Sequence, residues 1–372
     1  MKILYFVPLF WPDIGGIETL SMRAIPLLKQ KGHEFVIVTS NSELAKKPKD
    51  KFKEIPIYRF PMIEAIYKRD IQKLLIISKK IEGVIQDFEP DLIHVHFGGI
   101  PISIFLLKEK LYNIPILLTL HSGIEGMKVG QNTLLGKLLY RSTWITAVSD
   151  SVLESAIKSM PELNGKISRI YNGVPLPLIN PTDLDFSKPN ILCIGRMVKE
   201  KGFDIMLKAF KEINKVYSNV NLIFAGDGPI RKELEEIASE YGLLDRIQFL
   251  GWVEPDKIFN LINKSEIIVV PSRWEEPFGL VAIEAALLKR PVIATRVGGL
   301  KEIIEDGVTG MLFEKDDVNG LVDNLHYLLS NPQQAIKFGQ KAREHAISNF
   351  SMDSFIEQYH KLYIKLGKGK KR

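Results

Sequence analysis

Short apolar runs recur along the chain, and most are continuous instead of alternating: Ile116-Leu117-Leu118, Ile191-Leu192-Cys193-Ile194 and Ile267-Ile268-Val269-Val270 are examples. Continuous runs of this length are those of strands buried on both faces, as in parallel sheets covered by helices. Segments with helical spacing of apolar positions lie between them, so the pattern predicts an α/β protein with mostly parallel sheets. In the first half the strands are expected at Lys2–Pro8, Glu34–Thr39, Asp91–Val95, Ile116–Leu120, Trp144–Val148 and Ser168–Tyr171, with helices at Glu18–Gln30 and Ile102–Lys110 among those between them. In the second half they are expected at Asn190–Ile194, Asn221–Ala225, Ile247–Leu250, Ile267–Val270, Pro291–Thr295 and Gly310–Phe313. Between the halves Pro175, Pro177 and Pro181 fall within seven residues, a density that cannot extend a sheet and marks a boundary. The expected organisation is one Rossmann-like domain over residues 1–177, a second over 178–352, and a C-terminal helix near Ser354–Leu366 with a basic tail in 353–372. Ligands of such open sheets bind at the carboxyl ends of the strands, here in a cleft where the two domains face each other.

A chain of 372 residues favours two cores, and 45% hydrophobic with 25% charged residues is ordinary for a soluble globular protein. No apolar stretch approaches the ~20 residues that cross a bilayer. The apolar start, Ile3 to Phe10, is interrupted by Pro8 and lacks a small-residue cleavage site, so it reads as a first strand and not a signal peptide. The single cysteine, Cys193, excludes an intrachain disulfide and fits a reducing cytoplasm. The net charge of +6 is uneven: residues 1–180 hold 23 Lys and Arg against 17 Asp and Glu, and the remainder holds 27 of each. The excess lies between Lys46 and Lys80. A solvated lysine-rich surface is the plain reading; the functional one is a face for an anionic membrane or acceptor, with Lys46–Lys53 as its centre. The segment carrying Lys68, Arg69, Lys73, Lys79 and Lys80 is expected to be a helix whose Ile66, Ile71, Leu74, Leu75, Ile77 and Ile81 bury against the domain.

The stretch from Pro271 to Glu284 carries the most chemistry. It leaves a buried strand and enters a helix expected at Leu280 to Lys289, with Glu276 and Glu284 eight residues apart. Between them the backbone N–H groups of Phe278, Gly279 and Leu280 lie at a helix N-terminus, a natural anion site. Carboxylate, amides, carboxylate suits a ligand with hydroxyls at both ends and phosphates between, the layout of a nucleotide-sugar. Gly195-Arg196-Met197-Val198-Lys199-Glu200-Lys201-Gly202 repeats the demand: strand, glycine turn, two cations, helix start. Cations at a helix N-terminus oppose its dipole unless an anion lies there, so Arg196 and Lys201 read as a diphosphate clamp. The spacing is not that of a Walker loop, and no Gly-x-Gly-x-x-Gly follows a strand, which disfavours a Rossmann dehydrogenase. His94 and His96 have i, i+2 spacing but no third ligand nearby, so no metal site is expected.

Together with Gly15-Gly16, His121 after Leu118-Thr119-Leu120, Ala147-Val148-Ser149, Asn172-Gly173-Val174, Gly226-Asp227-Gly228-Pro229 and Gly298-Gly299, these segments resemble the retaining glycosyltransferases of family 4, with the GT-B fold. The resemblance covers nearly the whole chain. It implies that Glu284 binds the ribose hydroxyls, Glu276 the donor sugar, and Trp252-Val253 the edge of the base, while His121 faces the donor sugar and Gly15 and Gly16 let the backbone approach phosphate or acceptor. It further implies a UDP- or GDP-hexose donor, no cofactor, transfer with retention, a glycan or lipid-linked acceptor, and a C-terminal helix that returns to the first domain. Metal independence is also implied, and nucleic acid is not an expected partner. A cytoplasmic protein, peripheral on the membrane face, is the expected setting. Another GT-B enzyme, such as an epimerase or phosphorylase, and a non-catalytic sugar-nucleotide binder are the rival readings.

Overall fold

The computed structural model describes residues 1–98, 105 and 113–367, apart from the side chains of 255 and 256. The chain divides into two compact units, Met1–Gly173 with the segment from Met352 onward, and Val174–Ser351. The helix expected at 102–110 and the tail beyond Gly367 lie outside the described residues, Phe105 excepted.

The first unit contains β1 (Lys2–Phe6), α1 (Gly16–Gln30), β2 (Glu34–Ser40), β3 (Lys49–Phe52), β4 (Ile55–Phe60), α2 (Met62–Tyr67), α3 (Ile71–Phe88), β5 (Leu92–Phe97), β6 (Ile116–Leu120), α4 (Leu134–Arg141), β7 (Trp144–Ala147), α5 (Asp150–Ser159) and β8 (Ile167–Arg169). Its sheet runs β3-β4-β2-β1-β5-β6-β7-β8, parallel except for β3 against β4. That antiparallel hairpin is absent from the expected pattern. It turns the Lys46–Lys53 stretch into an edge: Lys51 pairs with Glu54 at 3.1 Å, while Lys49 and Lys53 lie over the rings of Tyr58 and Phe52.

The second unit contains β9 (Asn190–Ile194), α6 (Phe203–Val216), β10 (Asn221–Ala225), α7 (Arg231–Glu240), β11 (Ile247–Gly251), α8 (Pro255–Asn263), β12 (Ile267–Val270), α9 (Leu280–Leu287), β13 (Val292–Thr295), α10 (Leu300–Ile303), β14 (Gly310–Phe313), α11 (Val318–Ser330) and α12 (Pro332–Phe350). Its sheet is wholly parallel, in the order β11-β10-β9-β12-β13-β14. The apolar runs fill its core: Ile191, Leu192, Ile267, Ile268 and Ile293 are fully buried, with Phe203, Phe210 and Phe224 packed among the strands and α6.

The last helix, α13 (Met352–Gly367), belongs to the first unit. Its inner face, Phe355, Ile356, Tyr359, Leu362 and Tyr363, joins the core formed by Ile3, Tyr5 and α1. The Tyr359 hydroxyl lies 3.0 Å from Thr119 Oγ1 and 3.1 Å from Thr146 Oγ1, and the Tyr363 hydroxyl 2.7 Å from His94 Nδ1. These contacts satisfy buried polar groups on β5, β6 and β7 that would otherwise each cost about 1–3 kcal/mol.

Candidate active site

In the second sheet the strand order reverses between β9 and β12, which makes this the switch point where loops part and a ligand can enter. The loops after these two strands carry Arg196, Lys201 and Glu276. The β9 loop is braced by its neighbours: Gly195 donates its N–H to Ala225 O at 3.0 Å, Met197 to Asp227 O at 2.8 Å, and Gly226 to Gly251 O at 2.7 Å. A Cβ on Gly226 would lie 1.9 Å from the Gly195 carbonyl oxygen, so these loops meet only because that position is glycine. This accounts for Gly226-Asp227-Gly228-Pro229 as a brace. Arg196 stands exposed on the braced turn.

Lys201 and Glu276, 75 residues apart, form an ion pair, Nζ to Oε1. The same carboxylate oxygen accepts from Ser272 Oγ at 2.7 Å. Glu276 is 7% exposed, and a buried carboxylate without partners would be costly. Its expected role with the sugar and the expected role of Lys201 with the diphosphate therefore begin from one shared contact. Glu276 is also held through its backbone: Gly299 donates its N–H to Glu276 O, and Gly298 donates to Glu275 Oε2, both at 2.7 Å.

Sequence reasoning missed Arg273. It donates from Nη1 and Nη2 to the two Asp204 oxygens at 2.6 and 2.7 Å, from Nη1 to Lys199 O at 2.9 Å, and from Nε to Asp316 at 2.5 Å. Its N–H also donates to Glu200 O at 2.8 Å. This planar fork ties the β12 loop to the Lys199–Lys201 turn and to the start of α6. The hydrogen bonds to Asp204 hold the guanidinium above its ordinary pKa. The distance in sequence between Arg273 and its four partners hid this role.

The helix that follows, α9, starts at Gly279 without a side-chain cap. Phe278 is buried, with its ring edge-on to Phe350 at 5.8 Å, so its side chain serves the core and only its backbone can serve a ligand. Leu280 and Glu284 are both half-buried, Glu284 just beyond the first turn. Trp252 follows β11 with 66% of its surface exposed, and Val253 beside it is half-buried.

In the first unit the loop after β1 leads through Gly15 and Gly16 into α1. The space that a Cβ on Gly15 would need is filled by the Glu18 carboxylate, with Oε2 at 2.2 Å from that position. Burial pushes the Glu18 carboxyl above its ordinary pKa. The glycine pair is thus matched to a neighbouring acid that sequence reasoning passed over. His121, after β6, is half-buried; its Nε2 lies 2.7 Å from Nδ1 of the buried His96. Burial pushes His121 down to about 3 and His96 well below its ordinary value, so both rings are neutral at pH 7. His96 Nε2 is buried and has no hydrogen-bond partner among the described residues. A bare acceptor is easier to bury than an orphaned N–H, so His96 Nδ1–H donates to His121 Nε2. That leaves the proton of His121 on Nδ1, where the ring offers a donor. The i, i+2 histidines are therefore a hydrogen-bonded network, with His94 joined to Thr119 and Tyr363, and the described residues contain no cluster suited to a metal.

The family model for glycosyl transferases group 1 matches residues 179–345, and that for Glycosyltransferase Family 4 matches 14–177. Two Rossmann-like units and these matches define the class: a glycosyltransferase with the GT-B fold. An uncharacterised glycosyltransferase of Methanocaldococcus jannaschii is 32% identical over 98% of this chain and 99% of its own. The chain belongs to glycosyltransferase family 4. Among solved structures, sucrose-phosphate synthase from Thermosynechococcus elongatus superposes with a TM-score of 0.83 at 21% identity, covering 99% of this chain and 100% of that one. Anabaena HepE in complex with UDP gives 0.80 at 20% identity, covering 98% and 100%.

Proposed function

We propose that this enzyme transfers a hexose from a nucleoside diphosphate sugar to an acceptor hydroxyl, with retention and without a metal ion. The observation that carries the reading is the Lys201–Glu276 contact beside exposed Arg196 at the switch point of the second sheet. A donor seated there replaces the internal pair: its diphosphate takes Arg196 and Lys201, and a sugar hydroxyl donates to Glu276. Glu284 accepts from the ribose, and the uncapped first turn of α9 faces the phosphates. As the bond from C1 to the phosphate oxygen breaks, charge gathers on the departing diphosphate, where two cations and helix amides stabilise it in place of a metal. The acceptor oxygen bonds to C1 on the face just vacated, and its proton passes to the leaving phosphate oxygen. Glu276 stabilises the positive charge that develops on the sugar, and the Nδ1–H of His121 is available to a substrate hydroxyl. HepE, which shares the fold, was crystallised with UDP, which favours UDP over GDP as the first donor to try.

The test is a thermal-shift panel of nucleoside diphosphates and their sugars, in buffer containing EDTA. A ligand at 100 times its Kd should stabilise by about 2.7 kcal/mol. Transfer of the hexose from the nucleotide-sugar that binds to an acceptor hydroxyl should then yield a product of unchanged anomeric configuration by NMR. Absence of a shift with every nucleoside diphosphate rejects the site, an inverted product rejects retention, and a shift or activity that returns only with Mg²⁺ or Mn²⁺ rejects metal independence.

A further inference from the structure

Several exposed apolar side chains of the first unit lie on the turn after β2 and on α2 and α3, which follow β4 at the carboxyl edge of its sheet. Loops and helix starts that follow the adjacent strands β4, β2 and β1 are tied together there. Asn41 N–H donates to Phe60 O at 3.0 Å, Ile63 N–H to Ser40 Oγ at 3.2 Å, and Ser42 Oγ to Asp13 at 2.7 Å. From this edge Leu44 is 71% exposed, Tyr67 74%, Ile71 71%, Leu75 63% and Ile76 56%. The sequence pattern placed Ile71 and Leu75 in the core; only Ile77, Ile81, Val84 and Ile85 of α3 point inward with Ser78. Ile71, Leu75 and Lys79 follow one another at i, i+4 on the outer face, and Ile76 and Lys80 do the same beside them. Grouped aliphatic side chains in water mark an interaction surface, whereas scattered ones need no explanation.

The charges around this patch say what covers it. Arg69, Lys79 and Lys80 are exposed, as are Lys46 and Lys47 near Leu44. Among the nearby acids, Glu64 is already bonded by Lys68 and Lys73, both at 2.9 Å, and Asp70 caps α3 by accepting from Lys73 N–H. Glu43 remains beside Leu44, half-buried Glu82 follows Lys79 by three residues, and Asp87 lies at the far end of α3. Two copies of this face would bring cations against cations. A surface that is anionic at its headgroups and apolar just beneath matches both features.

We propose that the outer face of α2–α3, with the Leu44 turn, docks on an anionic lipid bilayer. Ile71, Leu75 and Ile76 enter the headgroup boundary, while Lys79, Lys80 and Arg69 meet lipid phosphates. The lysines of the β3–β4 hairpin are secondary, since Lys51 is paired and Lys49 and Lys53 lie over aromatic rings.

The experiment is co-sedimentation of the full chain with vesicles of phosphatidylcholine, alone or with phosphatidylglycerol, at low and physiological salt. Binding should be at least tenfold tighter to anionic vesicles and weaken with salt. Lys79→Gln with Lys80→Gln should lower it about 25-fold, about fivefold for each cation removed. Ile71→Gln, Leu75→Gln and Ile76→Gln together should lower it tenfold or more even at low salt. Lys49→Gln, Lys51→Gln and Lys53→Gln together should change it less than threefold. Equal binding to neutral vesicles, no loss in the apolar variant, or a dominant effect of the hairpin variant overturns the assignment. So does a concentration-dependent dimer that the apolar substitutions abolish, in a chain that ignores vesicles. Nucleoside diphosphate thermal shifts, run on every variant, separate the two readings. Retained shifts without vesicle binding sink the docking surface alone, and vesicle binding without shifts sinks the donor site alone.

Discussion

Replacing Gly298 by alanine should damage both the second unit and its chemistry, by an amount the geometry sets. The residue has φ of +48°, where an L side chain costs about 1–2 kcal/mol. The new Cβ would also lie 2.2 Å from Glu276 O and 2.7 Å from Glu276 N. Ordinary contact begins near 3.4 Å, so one of the two backbones must withdraw by roughly 1.2 Å, the difference between 3.4 and 2.2. Such a withdrawal strains the Gly299-to-Glu276 bond and the charged Gly298-to-Glu275 bond, worth about 1 and 2 kcal/mol. The sum is on the order of 4 kcal/mol. At about 2–4 °C per kcal/mol for a unit of this size, the calorimetric transition of the second unit should fall by roughly 8–16 °C. An ångström of displacement at Glu276 should lower kcat/KM by about a hundredfold. Gly307→Ala is the control, since its φ is +71° and a Cβ there meets nothing within 4 Å. It should lose only the conformational term, about 1–2 kcal/mol, and keep its activity. If the two variants match in Tm and in kcat/KM, the clamp on the acidic loop is not as argued.

Three further outcomes are expected. Arg196→Ala and Lys201→Ala should each slow turnover by about 10²–10³, as loss of one preorganised group on a developing anion does; near-normal rates in both would reject the clamp. Glu284→Gln should mainly raise the Kd for nucleotide in calorimetry, whereas Glu276→Gln should mainly lower kcat, because its contact strengthens as charge develops; matching kinetic signatures would undo this division. Burial holds His121 near 3 in the folded chain against about 6.5 when unfolded. Between those values the unfolded chain binds the extra proton, so stability is full above about pH 6.5 and lost as pH falls. His121→Gln should flatten the fall of Tm from pH 6.5 to 4; an unchanged profile would mean that another group sets the acid limb.

What the sequence revealed follows from which interactions are local. The strands β9, β10, β12 and β14 were legible to the residue, because strands buried on both faces are unbroken apolar runs. The hairpin was not: β3 is Lys-Asp-Lys-Phe, an edge strand written in charges, and β4 carries Pro56, which argues against a strand paired on both sides. The exposed face of α3 was misread because apolar residues at helical spacing look the same whether they meet a core or something outside the chain. The places of Arg196, Lys201 and Glu276 on the loops after β9 and β12, and of Glu284 in α9, were legible from strand-loop-helix context. The Lys201–Glu276 contact, the Arg273 fork and the His96–His121 bond join residues 75, 69 and 25 positions apart, and no local pattern encodes which polar partners tertiary structure will bring together.

The placement of α13 has a consequence for synthesis on the ribosome. The second unit is contiguous, so every residue it needs has been translated before α13 is made, whereas the first unit waits for the last helix of the described chain. Until Tyr359 and Tyr363 arrive, the nascent β5–β7 region lacks their hydroxyl partners for His94, Thr119 and Thr146, and an apolar face including Ile3, Tyr5 and Leu117 lacks its cover. Domains usually complete in the order in which they are translated; here the half begun first finishes last. A stop codon just before Met352 would therefore spare the unit translated second and cripple the one translated first.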